Sequence, residues 1–259
     1  STRKESSAAS DVYKRQAYNA GRNWNGGGMH ASHDYGFGMI DARGAARLAE
    51  SWGSRATKAN ERLLTASSAP VAQQVAAGQV STLSLTLPAD LLVEHVEVDV
   101  HSMVGRLGDM TLTLVSPGGT RSVLLDRTGK APGSGDDDLG DSRSGAFKYG
   151  FMSTHHRAER SAGEWKLEVR NAVAGLPLTL DRWTLRLVGS PGTTDDVYYF
   201  TDDYANLVAE NPGRAKLDDA ISGTAGGRNT LNAAAVSRSI SVDLVSGSAS
   251  IAGAALTIA

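Results

Sequence analysis

Between residues 80 and 187 apolar side chains recur at every second position, and this alternation constrains the chain more than any other feature. Val96, Val98 and Val100 alternate with Glu97, Asp99 and His101. Leu112 and Leu114 alternate with Thr111 and Thr113, Trp165, Leu167 and Val169 with Lys166 and Glu168, and Trp183, Leu185 and Leu187 with Thr184 and Arg186. Val80, Leu83, Leu85 and Leu87 lead into the region. Successive side chains of an extended backbone point to opposite faces, so a period of two marks strands with one buried and one wet face. Gly105 to Gly108, Pro117-Gly118-Gly119 and Pro132-Gly133 separate the runs with residues that close turns. The expected fold class is mainly β: an antiparallel jelly-roll-like β-sandwich with Trp165 and Trp183 as core anchors. A short α-helical N-terminal remnant and a partial β-rich C-terminal unit flank it.

The flanks differ in pattern. Ser1 to Gln16 is polar and unpatterned, a disordered or non-native tail. Within residues 17–60, Trp24-Asn25-Gly26-Gly27-Gly28 reads as a flexible glycine loop. Asp41 is placed to cap a helix whose Ala45, Leu48, Ala49 and Trp52 recur at helical spacing, with Gly53 to end it. One such helix is marginal alone, so this block is expected to close a larger body. Residues 61–76, small and polar around Pro70, read as a linker; the sandwich occupies 77–189 and a second linker 190–195. In 196–259, Tyr204, Leu207 and Val208 follow Asp202-Asp203 at helical spacing, and Ile240, Val242 and Leu244 alternate.

A length of 259 residues allows one large domain or two small ones. The net charge of −2 argues against nucleic acid or an anionic membrane as partner. With no cysteine, disulfides, thiol catalysis and thiolate metal sites are excluded. No apolar run approaches the roughly 20 residues of a membrane helix. Without an initiating Met or a signal peptide, the natural N-terminus is expected upstream.

Three resemblances join these pieces. His33-Asp34-Tyr35-Gly36-Phe37-Gly38-Met39-Ile40-Asp41-Ala42 resembles the closing segment of kexin- and furin-type subtilisin catalytic domains, where such a loop leads into the last helix. Gly108-Asp109-Met110-Thr111-Leu112-Thr113-Leu114-Val115-Ser116-Pro117-Gly118-Gly119-Thr120 is similar to the core motif of the P (Homo B) domain. Phe151 to His156, Gly163 to Val169 and Leu180 to Gly189 continue that motif in order. The sequence departs from the P-domain pattern at Arg157-Ala158, where an aromatic residue and Gly usually precede Glu159, and at Asn171, where Asp often follows the Arg. Asp196 to Asp202 resembles a segment that precedes calcium-binding β-roll repeats in serralysin-type bacterial proteases. Gly226-Gly227-Arg228-Asn229 echoes one turn of such a repeat, with neutral Asn229 where an Asp ligand is expected.

The resemblance implies a secreted bacterial serine endopeptidase, acting on polypeptides, whose nucleophile, base and orienting acid lie upstream. This chain, without a triad, is expected to be inactive alone and to carry the P domain that stabilises an intramolecular catalytic domain. It is also expected to continue past Ala259 into a solenoid. The alternative is a non-enzymatic jelly-roll binding or adhesion module of an RTX-type surface or secreted protein; a purely structural or secretory role is a third.

Few residues are candidates for chemistry. Gly119-Thr120-Arg121-Ser122 superficially resembles a subtilisin nucleophile loop, but Arg121 breaks the spacing and a strand follows, so no catalytic residue is assigned. His33-Asp34 reads as a loop before the last helix. His155 and His156, taken as strand neighbours, would point to opposite faces and could not share a ligand. Calcium is the one possible cofactor, because it takes six to eight oxygens, many of them carboxylate. The candidate ligands are Asp136, Asp137, Asp138 and Asp141 in a glycine-rich loop, and Asp109 at the start of a strand.

Overall fold

The computed structural model describes residues 24–32, 36–53, 57–88, 90–131, 133–135, 137–172, 175–218 and 226–259. The tail Ser1 to Gln16, the His33-Asp34 pair with Tyr35, Pro132 and Asp136 lie outside the described residues. The described residues of Ser1–Gly38 and Thr57–Gly192 form one unit, and those of Met39–Ala56 and Thr193–Ala259 a second.

The first unit is the expected sandwich. Its strands are β1 (Arg62–Ser67), β2 (Gln73–Val75), β3 (Val80–Leu87), β4 (Leu91–Val104), β5 (Met110–Val115), β6 (Arg121–Asp126), β7 (Gly145–Ser153), β8 (Gly163–Asn171) and β9 (Leu178–Pro191). One sheet runs β1-β9-β4-β7 with β2 also on β9, and the other runs β3-β8-β5-β6. Every pairing is antiparallel. From β3 to β9 the chain changes sheet at each connection except the β5–β6 turn, which gives the jelly-roll-like course.

The alternating residues meet in register. Val98 lies opposite Leu185 and Val100 opposite Trp183 in one sheet; Leu112 lies opposite Val169 and Leu114 opposite Leu167 in the other. All eight are fully buried, and each contributes roughly 1.5–3 kcal/mol of burial free energy. Two bulges re-aim the pattern. Glu94 is the extra residue between Val93 and His95, so the inward set of β4 changes from Leu91 and Val93 to Val96, Val98 and Val100. Asp181 does the same in β9, from Leu178 and Leu180 to Trp183, Leu185 and Leu187.

Residues 61–76 are not the expected linker. They supply β1 and β2, both paired with β9. Leu64 and Ala66 pack against the core at alternate positions, and Val75 is buried. The small and polar residues between them hide this pattern in the sequence.

The second unit contains α1 (Ala42–Glu50), β10 (Val197–Thr201), α2 (Tyr204–Glu210), β11 (Lys216–Leu217), β12 (Thr230–Ala235), β13 (Ile240–Asp243), β14 (Ser248–Ile251) and β15 (Ala254–Ile258). Asp41 caps α1 as expected, its Oδ1 accepting from the Gly44 amide at 2.9 Å. The helix ends at Glu50, two residues before Trp52. Trp52 instead stacks on Tyr199 at 5.2 Å, and Asn232 Nδ2 donates to Ser51 Oγ at 3.0 Å. The block read as 17–60 is therefore divided between the two units. β10 pairs in parallel with β12, while β11, β15, β14 and β13 form a four-stranded sheet over Phe200, Tyr204, Ile251 and Leu256.

Candidate functional site

The residues with the most specific buried polar contacts gather at one end of the sandwich, on the turns β5–β6 and β7–β8. Residues 155–158 form a turn, not a strand, which corrects the expected opposite-face placement of His155 and His156. The Arg157 amide donates to Thr154 O at 3.0 Å and the Glu159 amide to His156 O at 3.1 Å. Ala158 adopts φ +65°, a left-handed conformation that costs a non-glycine residue roughly 1–2 kcal/mol. The position at which the P-domain pattern carries glycine is thus one where the backbone favours it. In the β5–β6 turn, Ser116 Oγ accepts from the Thr120 amide at 3.1 Å, and both side chains are buried.

The loop beginning at Trp24 is seated in these two turns; it is not the free glycine loop expected. Asn25 is 5% exposed. Its Nδ2 donates to the carbonyls of His155 and Arg157 at 2.8 and 2.7 Å, and its Oδ1 accepts from the Met29 amide at 2.7 Å. The Gly26 amide donates to Thr120 Oγ1 at 2.8 Å and Glu159 Oε1 at 3.1 Å. Two glycines permit this approach. A Cβ on Gly26 would lie 3.1 Å from the Glu159 carboxyl, and one on Gly27 would lie 2.5 Å from the Ala158 carbonyl carbon.

Beneath the loop lies a buried acid–imidazole pair. His156 is wholly buried, edge-on to Trp165 at a centroid distance of 5.1 Å, and its Nδ1 is 3.7 Å from Glu159 Oε1. Burial pushes the Glu159 carboxyl up, but the neighbouring His156 and the Ser116 and Thr120 hydroxyls together hold it below the usual glutamate value. Serine or threonine, histidine and a carboxylate thus meet here, but not as a hydrolytic triad. Among the described residues neither His156 nitrogen has a hydrogen-bond partner, so the imidazole takes no proton from a hydroxyl. Ser122 is buried, with its Oγ 2.7 Å from Ser153 Oγ.

Three of the five calcium candidates have polar partners within the protein. Asp109 Oδ1 accepts from Arg106 at 3.0 and 2.7 Å, and its Oδ2 from the Leu176 amide at 3.0 Å. Asp138 accepts from the Ala131 and Gly140 amides at 2.8 and 3.1 Å, contacts that hold its carboxyl below the usual range. Asp141 pairs with Arg143 at 2.6 Å, and Asp137 is exposed. Among the described residues no three His, Asp or Glu side chains converge on one point. A cleft of about 440 Å³ lined by Gln74, Val75, Asn171, Leu176 and Pro177 offers no titratable group; Asn171 ties its walls by donating to Val75 O and Leu176 O.

Sequence reasoning missed Asn25, Gly26, Thr120 and Glu159 as a group. The one available signal was the departure at Arg157-Ala158 beside Glu159, which marks the receiving turn.

Comparison with known proteins agrees with the geometry. The family model described as "Proprotein convertase P-domain" matches residues 93–187. Mouse furin is 33% identical over 172 residues, which is 64% of this chain and 20% of furin. Drosophila melanogaster neuroendocrine convertase 2 is 34% identical over 173 residues, 64% of this chain and 25% of that protein. The chain thus spans a fifth to a quarter of these relatives' length. The Aeromonas sobria serine protease, solved as a complex with the chaperone, superposes with a TM-score of 0.55 at 27% identity, covering 65% of this chain and 33% of that one. The ordered motifs, the two-sheet sandwich and these matches lead to one assignment: residues 93–187 form a sandwich that matches the proprotein convertase P-domain model and is similar to part of furin and neuroendocrine convertase 2.

Proposed function

We propose that this chain is the P-domain-bearing part of a secreted bacterial subtilisin/kexin-like serine endopeptidase, and that the sandwich stabilises the catalytic body by gripping the segment that begins at Trp24. The observation that carries this reading is the seat of Asn25, whose side-chain amide uses both donors on the β7–β8 turn and its oxygen within its own loop. A loop with no docking role has no need to bury a fully hydrogen-bonded amide. The segment stands in sequence immediately before the residues that resemble the end of a catalytic domain, so the grip lies next to the point where that domain would join the sandwich. Peptide-bond cleavage belongs to residues upstream, and this chain hydrolyses none.

Amide hydrogen exchange tests the grip. The Gly26 and Met29 amides should exchange far more slowly than those of an open loop, and Asn25→Ala should release both. Open-loop exchange at these amides in the unaltered chain sinks the reading, as does peptidase activity of this chain that a serine-directed inhibitor abolishes.

A further inference from the structure

We infer that the cradle formed by residues 116–120 and 154–159 is a peptide-binding site selective for an Asn-Gly-Gly loop, which it accepts in trans once its own loop is withdrawn. The inference rests on the docking proposed above and names the ligand that the same surface recognises.

Three consecutive residues are read, each by a different means. At Asn25 the cradle presents two carbonyls and needs two donors on one short side chain. Aspartate would aim an anion at those carbonyls, and alanine would withdraw both donors, so the site discriminates through buried polar groups. At Gly26 the amide is shared by Thr120 Oγ1 and the Glu159 carboxylate, while a Cβ would press on Glu159 at 3.1 Å and on the Gly118 backbone at 3.3 Å, so that a side chain there is disfavoured. At Gly27 the Ala158 backbone closes the space.

The ligand is also portable. Its turn closes on itself: Asn25 N donates to Met29 O at 2.9 Å, Gly28 N donates to Asn25 O at 3.0 Å, and Trp24 bridges His30 with their rings edge to face at 5.1 Å. The cradle residues come 94 to 133 positions later in the chain, so covalent continuity contributes proximity and none of the recognising groups. A pre-organised loop of this kind gives up little conformational freedom on binding.

The test uses the full chain carrying Asn25→Ala, which removes the resident anchor, with Gly27→Ala as a second withdrawing variant. Near-ultraviolet circular dichroism verifies that each keeps its core. The probe is a fluorescein-labelled cyclic peptide spanning residues 24–30. Saturable binding to both variants is expected, at least about tenfold tighter than to the unaltered chain and than the same peptide carrying Asn25→Asp. Equal binding of the Asn and Asp peptides overturns the inference. No binding to either variant, with Gly26 still protected from exchange in the unaltered chain, overturns the inference and leaves the docking intact. No binding together with an unprotected Gly26 sinks both.

Discussion

Trp165 links the core to the cradle, and shortening it tests both. The indole is fully buried in the cluster that also holds Leu112, Leu114, Leu167 and Leu187, and its Nε1 donates to Ser161 O at 2.8 Å. Replacing a buried tryptophan by alanine removes transfer free energy and leaves a cavity, about 3–5 kcal/mol together. The Ser161 carbonyl also loses its donor, which adds part of the roughly 1–3 kcal/mol of an unsatisfied buried group. For a unit of this size each kcal/mol moves the melting temperature by roughly 3–5 °C, so Trp165→Ala should lower the first unit's transition by about 10–20 °C. Trp165→Phe keeps most of the volume, loses the hydrogen bond, and should fall by about a third of that. Scanning calorimetry with near-ultraviolet circular dichroism separates the two variants. His156 rests its ring on Trp165, so the alanine variant should also lose exchange protection at Gly26. A drop below about 3 °C for Trp165→Ala would refute the sheet register given above, since no buried tryptophan is so cheaply removed.

Two further outcomes follow from the receiving turn. Glu159 is held below its ordinary value, so the stability it supplies is present above the usual carboxylate range and is lost as pH falls through its lowered value; Gly26 protection should hold through the ordinary glutamate range and be lost only at more acid pH, and Glu159→Gln should flatten that dependence. A protection profile in Glu159→Gln that still follows acid as in the unaltered chain would remove Glu159 from the account. Ala158→Gly should stabilise the first unit by up to about 1 kcal/mol by relieving the φ of +65°, read as a shift in urea midpoint; a destabilisation would show that the turn is not strained there.

What could be read in the sequence divides along a physical line. The inner strands were legible because Val96 to Val100, Leu112 to Leu114, Trp165 to Val169 and Trp183 to Leu187 each obey a local rule of period two. β1 and β2 were not, because Ser67, Ala66 and Thr65 carry little apolar signal and take their strand conformation from β9. The bulges at Glu94 and Asp181 were hidden for a related reason: an extra residue has meaning only against the strand opposite. The partners of the acidic run were equally hidden, because the backbone amides on Asp138 and the guanidinium on Asp141 reach them only through the folded loop. The cradle was the least legible part. Asn25, Thr120 and Glu159 are ordinary residues separately, and only folding across more than ninety positions brings them together.

That separation sets an order of events during synthesis. Asn25 leaves the ribosome 132 residues ahead of the Arg157 carbonyl it binds, which at ordinary elongation rates of 5–20 residues per second is a wait of roughly 7–26 s. Throughout that interval the upstream segment has its turn but no seat. The contact that seats the loop therefore closes only once the last third of the sandwich has been translated.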